Sequence, residues 1–103
     1  MAEKGKQSRA ATPWYLYILE CAGGKLYTGI SVDVATRFEA HRAGRGAKFT
    51  RSYPPERIVM VRECASRGEA LKEELAIKKL SAAAKRELIR TVAGETGSTR
   101  RPR

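Results

Sequence analysis

Histidine is almost missing from this chain, and paired metal-ligand cysteines are missing altogether. His41 is the only histidine, and the two cysteines, Cys21 and Cys64, form no C-x-x-C pair. A zinc ribbon or finger needs closely spaced Cys and His ligands, so both are excluded. The cysteines read as small, reduced core residues. No apolar run approaches the roughly 20 residues of a membrane-spanning helix. The polar N-terminus lacks the apolar stretch of a secretion signal, so a cytoplasmic location is expected. Acidic residues are also scarce, with 11 Asp and Glu against 21 Lys and Arg, for a net charge of +10. That excess points to a polyanionic partner, most simply nucleic acid. The plain alternative is a basic but solvated surface. At 42% hydrophobic and 31% charged residues the composition is that of a globular protein rather than a disordered one.

The 103 residues allow one domain, with a core just large enough to be stable unaided. Residues 1–12 and 94–103 are polar and basic and are expected to be disordered tails, leaving a folded domain at 13–93. Each tail carries two of the ten net positive charges, so six remain on the domain. The run WYLYILE at 14–20 and the run KLYTGIS at 25–31 predict two strands joined by the Ala22-Gly23-Gly24 turn into a hairpin. Asp33 caps a helix that runs to about Ala43, where Gly44 stops it. Residues 44–55 read as a loop rich in glycine, bases and aromatics. A third strand is expected at 57–63 (RIVMVRE). Ser66 to Glu69 form a capping box that opens a second long helix, to about Lys79. Ser81 caps a last helix ending at Gly94. The order ββαβαα predicts an α+β fold, a small three-stranded, largely antiparallel sheet with helices packed on it.

Three polar residues stand where helix geometry calls for apolar ones. In the first helix Val34 and Phe38 mark the inner stripe, and Arg37 and His41, three and seven residues after Val34, share it. In the second, Ala70, Leu71 and Ile77 define the stripe, and Glu74 sits at its centre while Glu73 points outward. A carboxylate there is costly unless it is paired or holds a metal. One reading is a buried Arg37–Glu74 salt bridge with a structural His41; the other is a site. Lys78, beside Glu74, is either a snorkelling surface lysine or a phosphate contact. Tyr15 and Tyr17 share one face of the first strand, and Tyr27 and Gly29 one face of the second. Gly29 leaves its backbone open to close approach by a ligand. In the loop, Arg45, Lys48, Arg51 and Tyr53 mix bases with an aromatic ring, which suits phosphate contact and base stacking.

Taken together, these residues resemble the GIY-YIG nucleases, a family that includes the UvrC N-terminal endonuclease domain. Tyr15-Leu16-Tyr17 resembles its first motif and Tyr27-Thr28-Gly29 its second, with Arg37 ten residues after Tyr27 and His41 one turn later. Glu74 matches the family's glutamate on the following helix. The likeness covers about residues 14–90 and is greatest to a small stand-alone bacterial branch, the YhbQ type. Tyr15 stands where a glycine is frequent, and residues 81–92 lack the asparagine many relatives carry. The resemblance implies a divalent-metal-dependent endonuclease, acting on DNA rather than RNA, in repair or processing. Glu74 would hold Mg²⁺ or Mn²⁺ and Arg37 the charge that builds up on the phosphate. Tyr17 would position the water or the phosphate. Tyr27 would deprotonate the attacking water, with His41 as the rival base. The competing reading is a nucleic-acid-binding module with weak or lost catalysis.

Overall fold

The computed structural model describes the backbone of residues 12–100 and the side chains of residues 12–92. The hairpin forms as expected. β1 (Trp14–Cys21) and β2 (Lys25–Ser31) are joined by a single 3-10 turn at Ala22–Gly24. Gly23 and Gly24 both take positive φ there, a conformation that costs a glycine nothing sterically. Asp33 caps α1 (Val34–Arg42), accepting from the Thr36 amide at 3.1 Å and the Thr36 hydroxyl at 2.8 Å. β3 (Pro55–Cys64) follows. Ser66 caps α3 (Arg67–Lys78), its hydroxyl accepting from the Glu69 amide at 3.1 Å while the Glu69 carboxylate takes the Ala65 amide. Ser81 caps α4 (Ala82–Arg100) through the Ala84 amide. Each cap satisfies an amide that has no partner within its helix.

Two expectations are corrected. The stretch 44–55 is not all loop, because Lys48–Ser52 forms a short helix, α2. The last helix does not end at Gly94 but continues to Arg100. A glycine inside a helix costs only about 1 kcal/mol relative to alanine, so it permits a stop without imposing one. The expected tail at 1–12 falls, but for Thr12, outside the described residues.

The sheet has the order β2-β1-β3 and is antiparallel throughout. β1 is central because it is apolar on both faces. Leu16 and Ile18 face α3 and α4, in a core with Met60, Cys64, Ala70 and Ile77. Tyr17, Leu19 and Cys21 face the other way, against Tyr27, Val34 and Phe38. Leu16, Ile18 and Leu19 are fully buried, each stabilising the fold by about 1.5–3 kcal/mol. Both cysteines are free and buried, and burial pushes both thiols up, which keeps them protonated. No helix among the described residues is long and apolar enough to cross a membrane.

Candidate active site

The hairpin register puts Tyr17 opposite Gly29 and leaves both on the face that α1 covers. Gly29 is not open to a ligand, contrary to the sequence reading. A Cβ on it would lie 2.6 Å from the Tyr17 oxygen, 2.7 Å from Cζ and 3.1 Å from Cε2 of Tyr27. The glycine is needed so that the two tyrosine rings can lie against the strand. Tyr27, two pairs further along and so on the same face, has its ring centroid 6.4 Å from that of Tyr17. Its hydroxyl makes no hydrogen bond among the described residues, so it is free to meet water or substrate.

α1 delivers His41 behind Tyr17. The imidazole is 1% exposed, with Nε2 3.0 Å from the Tyr17 hydroxyl and Nδ1 2.7 Å from Oγ1 of Thr50. The Thr50 hydroxyl donates its one proton to the Ala47 carbonyl at 2.9 Å. The Ala47 amide also donates to Nδ1, at 3.4 Å, so three partners hold the two ring nitrogens. Both nitrogens are occupied, and the Tyr27 ring packs on the imidazole at 4.9 Å. Burial, and next the positive charge of Arg37, lower the His41 pKa. Burial and then the neighbouring Tyr27 raise that of Tyr17, Glu74 adding to the rise and Arg37 opposing it. Tyr17 is thus a neutral phenol whose hydroxyl lies between His41 and the positive charge of Arg37.

Arg37 itself is exposed and Glu74 is 16% exposed. The sequence left open an Arg37–Glu74 salt bridge; instead the Glu74 carboxylate pairs with Lys78 at 3.2 Å, one turn along α3. Glu73 does not simply point outward, since it pairs with Arg62 of β3 at 2.8 Å. Arg45 follows α1, and Lys48 and Arg51 lie on α2, all three exposed. Tyr27 and His41 thus pack at the Tyr17 hydroxyl, Arg37 and Glu74 act on it through their charges, and Arg45, Lys48 and Arg51 add bases on the exposed surface. Thr50 was missed by the sequence reading. Nothing local marks it, because its partner is nine residues away and α2 is needed to aim it.

The described residues hold no group of three or more His, Cys, Asp and Glu side chains able to share a metal. A lone carboxylate such as Glu74 suits a hard cation that keeps most of its waters, as Mg²⁺ and Mn²⁺ do, with substrate oxygens completing the shell.

The match to known proteins bears directly on this arrangement. The GIY-YIG catalytic domain matches residues 13–87. The chain belongs to the GIY-YIG family. Its sequence is 57% identical over 72 residues to a UPF0213 protein of Cupriavidus pinatubonensis, covering 70% of this chain and 80% of that one. A UPF0213 protein of Neisseria meningitidis is 44% identical over 78 residues, covering 76% of this chain and 86% of its own length. Among solved structures, the solution structure of a UPF0213 protein from Bacillus halodurans is similar. It has a TM-score of 0.54 at 39% identity and covers 85% of this chain and 94% of that one. The small stand-alone form of the family and its α+β fold are thereby shown, and the family's catalytic domain is that of nucleases.

The buried histidine of this GIY-YIG domain makes its stability depend on pH. The lowered pKa means that the unfolded chain, with His41 near 6.5, binds more protons than the folded one just below that pH. The stability is therefore present above about pH 6.5 and lost as the pH falls from there through the lowered folded value. His41 is the only histidine, so no other histidine competes in this window. The melting temperature should fall between about pH 7.5 and 5.5 in the wild type and stay nearly flat in His41→Gln. Parallel curves for the two proteins would show that the imidazole is not held neutral.

Proposed function

We propose that this protein is a divalent-metal-dependent endonuclease that hydrolyses phosphodiester bonds, with DNA as the preferred substrate over RNA, and that Glu74 holds Mg²⁺ or Mn²⁺. The observation that carries this reading is the gathering of Tyr17, Tyr27, Arg37, His41 and Glu74 about the Tyr17 hydroxyl, beside an exposed basic surface. When bound, the cation supplies Lewis-acid charge to the phosphoryl oxygens.

The side chains divide the remaining work. Arg37, exposed and with no ion pair among the described residues, neutralises charge that builds up on the phosphate. Tyr17, its hydroxyl fixed by the hydrogen bond to His41, holds the attacking water in line. Tyr27, whose hydroxyl is uncommitted, takes the water's proton as its phenolate, its own proton having first left to solvent. His41 has no free nitrogen and acts from behind, as the positioning residue for Tyr17. Arg45, Lys48, Arg51 and Lys78 contact the nucleic-acid backbone, which fits the six net charges of residues 13–93.

The test is a cleavage screen of the full chain over DNA and RNA of varied structure, with and without Mn²⁺. Cleavage is expected only with the ion. Binding should weaken steeply with salt, with a log–log slope of about −0.9 per phosphate contact on duplex. Binding without cleavage of any substrate under any divalent ion would return the chain to a nucleic-acid-binding module.

The packing over Gly29 supplies a second check on Tyr17. In Gly29→Ala the added Cβ meets a buried, hydrogen-bonded ring and not a flexible side-chain end, so Tyr17 must move. Overpacking of this kind costs about 1–3 kcal/mol. The expected result is a folded protein with a lowered melting temperature and cleavage down at least about tenfold, since small misplacements of reacting groups cost large factors in rate. Wild-type turnover in this variant would show that the exact seat of Tyr17 is immaterial.

A further inference from the structure

From Tyr27 a series of aromatic rings leads away from the site. The Phe49 centroid lies 5.9 Å from that of Tyr27, at 32° between planes, and Tyr53 lies 5.2 Å beyond Phe49, at 44°. Lys25 sets its ammonium 5.4 Å over the Tyr53 ring. Phe49 and Tyr53 are each 37% exposed, on and just after the short helix α2, with the bases Lys48 and Arg51 on the same helix. A phenylalanine needed only for the core would be covered more fully. Phe49 also walls a groove of about 330 Å³ between the hairpin turn and the first turn of α4. Gly24 and Leu26 line it from the hairpin, and Lys25 and Lys85 line it with charge. No acidic residue among the described ones lines it. Arg86, next to Lys85, donates to the Gly24 carbonyl and ties the turn to α4, so the two sides are joined.

We propose that this groove is a nucleobase subsite in which the Phe49 ring stacks on a base of the bound strand while Lys25 and Lys85 hold the adjoining phosphates. The inference rests on the nuclease reading and adds residues that reading does not use. The occupant follows from the lining. An aromatic face with two cations and no acid fits a flat π-system attached to phosphate. The volume lies at the lower end of small-molecule sites, which run from about 300 to 1,000 Å³. The ring series then gives the direction of the strand. A base on Phe49 lies one ring beyond Tyr27, so its phosphate is next to the position where Tyr17, Tyr27 and Arg37 converge. The base can enter only after leaving its own stack. The substitution-sensitive part of the affinity is therefore stacking, which every base supplies, and little sequence preference results.

The test uses the full chain without metal and a short deoxyoligonucleotide carrying 2-aminopurine at its centre, whose fluorescence is quenched by stacking. Quenching is expected in the wild type and equally in Glu74→Gln. In both, the oligonucleotide should bind roughly five- to a hundredfold more tightly than the same strand with an abasic site at that position. Phe49→Leu keeps the apolar bulk against Tyr27 but removes the π-face, so it should melt near the wild type and lose both the quench and the preference. Phe49→Trp should keep them. If the base-bearing and abasic strands bind the wild type equally, or if Phe49→Leu retains the preference, the subsite is wrong, whether or not the protein cleaves. A preference for the base that depends on Phe49, in a protein that cleaves nothing, supports the subsite and overturns the nuclease reading alone.

Discussion

Glu74→Gln is expected to abolish metal-dependent cleavage while leaving the fold and metal-free nucleic-acid binding intact. Glutamine keeps the shape of the side chain and one acceptor oxygen but not the charge that attracts a divalent cation. With no second carboxylate, histidine or cysteine grouped with Glu74 among the described residues, nothing else near Tyr17 could take over. Stability should change little. The carboxylate is 16% exposed and its partner Lys78 is 49% exposed, and half-exposed pairs of this kind contribute about 0–1 kcal/mol. Metal-free affinity should hold or rise, because a negative charge facing the phosphate is gone. The three measurements are Mn²⁺-dependent cleavage, metal-free affinity and melting temperature on one preparation. Unchanged cleavage would remove Glu74 from the chemistry. Lost cleavage with a collapsed melting temperature would mean a structural glutamate.

Arg37→Ala separates the same two possibilities from the other side of the site. A buried salt bridge to Glu74 would make the variant unstable by several kcal/mol, through the unpaired charge left behind. The observed arrangement predicts the reverse. Arg37 is exposed and Glu74 has Lys78, so the melting temperature should stay near the wild type. Cleavage should fall by roughly a hundredfold or more, the usual size of losing one contact to transition-state charge. Arg37 also holds down the pKa values of Tyr17 and His41, so removing it lets both rise. Arg37→Lys restores the charge but not the planar fork, and partial recovery is expected. A stable Arg37→Ala protein with wild-type turnover would end the catalytic assignment.

Much of this protein was legible before its structure. The three caps, at Asp33, Ser66 and Ser81, were readable because a cap is made by residues three apart in the chain. β1 was legible as a strand from its aromatic and aliphatic run, while its central place in the sheet came from the structure. The candidate site residues Tyr17, Tyr27, Arg37, His41 and Glu74 stood out because strand and helix periods put polar groups where a core would be apolar. The tertiary structure decided what these groups touch. It paired Glu74 with Lys78 and left Arg37 open, and it placed His41 behind Tyr17 with Thr50 on its far nitrogen. It also filled the space over Gly29 with the rings of Tyr17 and Tyr27. It folded α2 out of an expected loop, so that Phe49 extends the ring series outward from Tyr27. The physical reason is range. Capping and periodicity act between neighbours and leave a mark in the sequence, whereas ring packing, ion pairing and buried hydrogen bonds are set by groups brought together from distant segments. The sequence specifies those only through the fold as a whole.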